Sequence, residues 1–266
     1  PGVAFRAINS GYTESTGTFN QLTESLVILG GDADVDRFIQ QTRSNLNNQR
    51  AEQTKLKVKA LSYKFSDHFF NGDITTDPLG FDGIKKRLTG AQVIDAATNG
   101  LPIVGPAPHD SHAFFDKLDE LIAAVPGIDP SNGALYANAA VRAKILSAGR
   151  RIGGTELVRE DLTGKRVVQY NGIPVLDPGT TSAGLAVLPQ TETQGTSTVA
   201  SSIYAVRFGG SENDQAVTGL TNGGVQVYDL GELQEKPALR TRIEFYVGLG
   251  VFGGKAAARL RGVLNA

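Results

Sequence analysis

The chain has 266 residues, with 26 Lys and Arg against 27 Asp and Glu, and it contains no Cys, Met or Trp. Without Cys it forms neither a disulfide nor a thiolate metal site. No run approaches the ~20 apolar residues of a membrane span, and no basic start leads into an apolar run as in a signal peptide.

Pro1 points to removal of an initiator Met or of a longer leader. Two extended runs, VAFRAI (3–8) and TFNQLTESLVIL (18–29), flank the polar turn NSGYTESTG and read as a long hairpin. A two-stranded hairpin is marginal in water, so this one requires a partner surface. Gly30-Gly31 are expected to break the strand, and Asp32, Asp34 and Asp36 to lead into a helix whose N-terminal dipole they complement. Residues 36–70 contain no Pro and no Gly and read as one uninterrupted helix, ~50 Å long at ~1.5 Å per residue. Its apolar stripe is thin and NLNNQRAEQTK (45–55) is nearly all polar, so stabilisation along its length is expected from neighbouring subunits.

Asn71-Gly72 stops that helix, and a turn-rich stretch follows. HDSHAFFDKLDELIAAV (109–125) has Phe114, Leu118, Leu121 and Val125 at helical spacing before Pro126-Gly127. A second amphipathic helix fits residues 135–148. VVQYNGIPVLD (167–177) reads as strand, Gly turn and strand, and residues 178–202 as loop-bearing. Residues 202–208, 225–230 and 238–252 read as strands, the last with a clear alternation. Helices and strands mix without a βαβ repeat, which gives an α+β class.

Charge is unevenly spread. Residues 36–70 carry a net +4 and residues 236–266 a net +5, while the remainder is acidic. Either these are solvated faces, or positive elements meet negative ones across subunit contacts or face nucleic acid. No basic motif with interleaved aromatics supports sequence-specific recognition.

Chemical sites are sparse. His109, Asp110, His112 and Asp116 lie close together, but at a helix start where Asp and Ser are ordinary caps. Asp32, Asp34 and Asp36 open like a calcium loop, yet Arg37 stands where the Gly is required and Arg43 where the Glu is required. Gly164-Lys165 lacks the upstream Gly of a phosphate loop, and no G-x-S-x-G elbow occurs. Gly153-Gly154 and Gly223-Gly224 read as turns, and Asp119-Glu120 and Glu160-Asp161 as surface charges. No catalytic, cofactor or metal site is expected.

The order of pieces resembles the major capsid proteins of tailed phages with the Hong Kong 97-type fold. The residues that carry it are the polar hairpin, GGDADVDRFIQQT with the long helix, NGD, GFDGIKKRL (80–88), YNGIPVLD (170–177), IYAVRFGG (203–210) and LRTRIEFYVGLGVFGGKAAARLRGV (239–263). The resemblance implies an extended hairpin loop over residues 1–35 that overlaps an adjacent subunit. It implies a peripheral domain with the long helix as spine over 36–106, an axial domain over 107–232, and a return to the peripheral domain over 233–266.

By the same resemblance the chain is a shell subunit of a tailed double-stranded DNA phage, not an enzyme. It assembles with itself into pentamers and hexamers of an icosahedral capsid, in the host cytoplasm and then the virion. Scaffolding protein, portal and a decoration protein are the implied partners, with packaged DNA touched non-specifically and no membrane involved. Arg37, Arg43, Arg50, Lys57, Arg240 and Arg242 are the expected subunit-contact residues. Some members lock neighbours with a Lys–Asn isopeptide bond from a hairpin lysine; here the first lysine is Lys55, so no such bond is expected through the hairpin. Many members also carry an N-terminal arm before the hairpin, so its near absence implies cleavage or a separate scaffold. The alternative is an encapsulin-like nanocompartment shell of the same fold, enclosing a cargo enzyme.

Overall fold

The structure is a computed structural model that describes residues 2–16, 21, 23–43, 48–105, 110–152, 158–160, 166–210, 214 and 216–265. Two sheets organise them. A three-stranded antiparallel sheet has the order β1 (Val27–Asp36), β11 (Ala238–Val251), β10 (Val217–Glu232). A nine-stranded mixed sheet runs β2 (Val93–Asp95), β12 (Ala257–Leu264), β9 (Ser197–Arg207), β4 (Gly133–Tyr136), β7 (Ile173–Leu176), β6 (Arg166–Tyr170) and β5 (Val158–Glu160). β3 (Leu101–Pro102) lies beside β12, and β8 (Glu192–Gln194) beside β9.

Strand β9 joins two cores. Residues 200–206 are buried without interruption, as expected for a strand covered on both faces. Ile203 and Ala205 face a core closed by α4 (Asp110–Ala123) and α5 (Ala139–Ile152), whose Phe114, Leu118, Leu121, Val141 and Ile145 fill it. Tyr204 and Val206 face a second core with Phe70, Phe81, Ile84, Val247 and Leu249. Ile84 opens α3 (Ile84–Arg87), a single turn packed near the end of the long helix.

The expected single helix over 36–70 is two. α1 (Arg37–Arg43) and α2 (Gln49–Asn71) are separate, and the Asn48 side chain accepts from the Ala51 amide to cap α2. Asp32, Asp34 and Asp36 do not form a helix lead; all three lie on β1, with only Asp36 capping, its Oδ1 accepting from the Phe38 amide at 2.7 Å. Gly30 and Gly31 do not break that strand. A Cβ on Gly30 would lie 2.3 Å from the Ile243 carbonyl oxygen, so the close pairing of β1 with β11 needs glycine there.

The hairpin differs too. No strand precedes β1 among the described residues; a turn closes at Ala7–Ser10, where the Ser10 amide donates to the Ala7 carbonyl, and the Gly2 amide donates to Ser15 Oγ. The helix expected from residue 135 starts later, because residues 133–136 pair with β9 and β7 and Asn138 Oδ1 then caps α5 through the Val141 amide. The stretch 178–202 holds β8 and the start of β9. The strand–turn–strand at 167–177, the helix α4 and the long strand β11 are where the sequence patterns place them.

The sheets also cross the ranges drawn from the resemblance. β10, within 107–232, pairs with β11, and β12, within 233–266, sits between β2 and β9. No described helix is long and apolar enough to cross a membrane.

Candidate subunit-interface surface

The polar length of α2 lies along its own chain's sheet. It packs over β1 and β11. Phe65 and Phe69 reach the second core, with Phe65 edge-on to Phe245 at 6.0 Å between centroids. Toward its N-terminus Arg50 supplies the contact. Its Nε donates to Thr241 Oγ1 at 2.9 Å, one terminal nitrogen to Asp229 Oδ2 at 2.7 Å, and the other to the Arg240 carbonyl at 3.2 Å and to Asp229 Oδ1.

The basic tail and the acids of β1 meet within the subunit. Antiparallel register places Asp32 opposite Arg242 and Asp34 opposite Arg240 on the sheet face turned away from α2. Arg242 donates to both Asp32 oxygens at 2.8 and 2.9 Å, and Arg240 to both Asp34 oxygens at 2.7 and 2.8 Å. Arg240 also lies 3.4 Å from Asp32, and Lys236 2.6 Å from Asp34, so the pairs form one ladder. Hydrogen bonds from Arg240 and Lys236 hold the Asp34 carboxyl well below the usual range, and the bond from Arg242 does the same for Asp32.

Of the six residues expected at subunit contacts, Arg37 pairs with Glu232 at 2.8 Å, and Arg50, Arg240 and Arg242 pair as above. Arg43 is exposed at the end of α1, and the stem of Lys57 lies over Gly31, its Cε 3.1 Å from where a Cβ would stand. The residues thus gather along one sheet and the two helices beside it, with four engaged inside the chain. Sequence spacing gave no sign of this, because each pair joins positions about two hundred residues apart.

A second charged cluster escaped sequence reasoning. Arg259 on β12 donates to Glu192 on β8 at 2.9 and 3.0 Å and to Ser202 Oγ at 3.0 Å, with Lys85 3.3 Å from Glu192. Burial pushes the Glu192 carboxyl up, but the Ser202 hydrogen bond and the charges of Arg259 and Lys85 outweigh it and the net shift is downward. The Arg259 guanidinium also covers the Tyr204 ring at 5.7 Å.

His109 and the side chain of Asp110 lie outside the described residues, as do Gly153-Gly154, Asp161 and Gly164-Lys165 and the side chain of Glu160. His112 and Asp116 border a shallow hollow with Phe115, Ile152 and Tyr170. Among the described residues no group of three or more His, Asp or Glu is placed to hold a metal. What the described surface does offer is apolar: Val3, Phe5, Ile8 and Tyr12 near the N-terminus, and Val225, Val227, Tyr228 and Leu230 on β10. Exposed apolar groups in such numbers mark contact surfaces.

Residues 1–104 match the family model described as major capsid protein GP7. No curated protein sequence matches significantly. Among solved structures, the SrpI encapsulin of Synechococcus elongatus superposes with a TM-score of 0.67 at 19% identity, covering 91% of this chain and 75% of that one. A chain of Gordonia phage Cozz gives a TM-score of 0.61 at 11% identity, covering 98% and 78%. The capsid of Cyanophage P-SCSP1u gives 0.53 at 14% identity, covering 97% and 81%. The fold is that of the Hong Kong 97-type capsid proteins and encapsulins, an α+β architecture as the sequence order implied.

Proposed function

We propose that this chain, which has the Hong Kong 97-type fold, is the major capsid protein of a tailed double-stranded DNA phage. It assembles with itself into the pentamers and hexamers of an icosahedral shell that encloses the genome. The observation that carries this reading is the match of residues 1–104 to the major capsid protein GP7 family, within a fold that aligns 97% of the chain to a cyanophage capsid. Its work is structural rather than enzymatic, in keeping with that family. Its place is the virion, reached after assembly in the host cytoplasm with scaffolding, portal and decoration proteins. On this reading residues 1–35 reach an adjacent subunit, 36–106 and 233–266 belong to the peripheral part, and 107–232 to the axial part.

The interface role of Arg37, Arg43, Arg50, Lys57, Arg240 and Arg242 belongs to the same proposal. Arg43 and Lys57 test it most cleanly, since the other four tie the chain to itself. Electron microscopy of the purified protein under assembly conditions should show closed shells, and Arg43→Glu with Lys57→Glu should lower particle yield without changing circular dichroism. A wild-type preparation that stays monomeric overturns the reading.

The likeness to the SrpI encapsulin favours a second reading, a nanocompartment shell. Particles from the native source decide between the two. The capsid reading expects double-stranded DNA inside, and the encapsulin reading an enzyme.

A further inference from the structure

Two parts of the described chain lack strand partners and fit each other. Strand β10 is hydrogen-bonded along one side to β11. On its other side only Val217 is bridged, to Phe208, and residues 218–232 have no ladder partner among the described residues. A long open edge is a template for another strand, and natural edges are blunted by Lys, Pro or bulges. VTGLTNGGVQVYDLGE has no Lys and no Pro. Its irregularities, at Thr221/Val225 and Asp229/Gly231, leave residues 225–229 in unbroken register. There Val225 and Val227 are 45% and 52% exposed on the face toward α2, because the helix covers β1 and β11.

The other part is residues 2–8. Val3, Phe5 and Ile8 are more than nine-tenths exposed and so rest on nothing in their own chain. The segment leads, through residues 9–26, into β1, at the opposite edge of the same sheet from β10. Residues 2–8 carry a single charge, Arg6, while the acids of β10, Asp229 and Glu232, are already paired within the chain to Arg50 and Arg37.

We infer that residues 2–8 of a second copy add as a fourth strand along the open edge of β10, seating Phe5 beside Val225 and Val227. The second copy rests on the capsid reading. Side-chain parity then decides the rest in either strand direction. With Phe5 on the α2 side, Val3 and Ala7 join it, and Arg6 turns to the opposite face. That face carries Gln226 and Tyr228, and Glu244 stands opposite Gln226 on β11. The added strand contributes main-chain hydrogen bonds for affinity and one aromatic anchor for register.

The chain contains no Cys, so engineered thiols report without background. A Phe5→Cys chain and a Val227→Cys chain, the latter carrying a tag that shifts its mobility, are mixed before assembly and oxidised in the shells. Non-reducing denaturing gels should show the mixed disulfide dimer, at several-fold the yield of Phe5→Cys with Val199→Cys, an exposed site on β9. Shells that form with no excess over that control overturn the inference and leave the capsid reading standing. So does a single chain bearing both Phe5→Cys and Val227→Cys that closes only on itself. Wild-type protein that forms no shells overturns both.

Discussion

Arg50, in the first turn of α2, and Asp229, on β10, form a bidentate ion pair between positions 179 residues apart in sequence. The same guanidinium bonds Thr241 Oγ1 and the Arg240 carbonyl on β11, so one side chain ties the polar end of the helix to two strands. A planar fork is what satisfies these acceptors together, and an ammonium does not reproduce it. Arg50→Ala should lower the Tm by a few degrees, and Arg50→Lys should recover only part of that loss. Thermal melting by circular dichroism checks both, and equal melting of the Lys variant and wild type would show that charge alone suffices.

Gly30 is expected to tolerate no side chain. A Cβ there would lie 2.3 Å from the Ile243 carbonyl oxygen and 3.2 Å from the Glu244 Cα, both main-chain atoms of β11 that cannot rotate away. Gly30→Ala should cost ~1–3 kcal/mol, the range for forcing atoms into a packed site. Gly219→Ala on β10 is the matched control, since nothing lies within 4 Å of its added methyl. That change should be neutral or stabilising by a few tenths of a kcal/mol, because it restricts the unfolded chain. Chemical denaturation of the two variants gives the comparison.

These two sites also show how far the sequence could be read. Helix α4 and strand β11 were legible because Phe114, Leu118 and Leu121 recur at helical spacing and residues 238–252 alternate, both local signals. Asp32 and Asp34 were misplaced as helix leaders because the residues that make them strand positions, Arg242 and Arg240, lie 210 and 206 residues away. The helix start at Asn48 was hidden because no Gly or Pro marks it; a side-chain cap inside a polar run does the work. β12 went unread because AARLRGVL buries Ala257 and Ala258 where the periodicity rules look for bulk. The interface residues were drawn from charge, and charge does not say whether its partner is the same chain or the next.

Acid should weaken the fold through named carboxylates. Hydrogen bonds from the Thr75 hydroxyl and amide, with Lys86, hold Asp73 at about 2, and the arginine ladder depresses Asp32 and Asp34 from an ordinary 3.8. Arg261 likewise depresses Asp95, and Glu192 lies below its ordinary 4.5. In each case the folded state binds protons less readily than the unfolded state. The stabilisation is therefore complete above the unfolded values and is lost as pH falls through the folded ones. The Tm should be level from about pH 5 to 7 and fall steeply below about pH 4. Asp32→Asn with Asp34→Asn should lower the neutral plateau and shallow the acid slope, as measured by calorimetry across that range.

Glu192 sits among Arg259, Ser202 and Lys85 with its side chain 14% exposed, and Arg259 is 13% exposed. Removing one member of a buried pair leaves the other charge unmatched, a loss of ~3 kcal/mol or more. Glu192→Gln should therefore destabilise strongly although it keeps the shape. Glu192→Gln with Arg259→Met should recover much of the loss, since no unpaired arginine remains. A double-mutant cycle in urea measures the recovery, and strictly additive losses would mean that Arg259 is held by other partners.

The Tyr204 hydroxyl offers the opposite test. The residue is fully buried, its ring lies 5.3 Å from that of Phe70 and under the Arg259 guanidinium, and its oxygen has no hydrogen-bond partner among the described residues. Burial drives its phenol far above the ordinary value, the charge of Arg259 opposing that rise and the charge of Glu192 adding to it. A buried hydroxyl without a partner costs ~1–3 kcal/mol, while the ring contributes packing that the hydroxyl does not. Tyr204→Phe should therefore leave stability unchanged or raise it, and Tyr204→Ala should cost ~3–5 kcal/mol by opening the second core. Urea unfolding separates the two contributions. A loss above ~1 kcal/mol in the Phe variant would show that the oxygen is satisfied in solution, by a water held between the two cores.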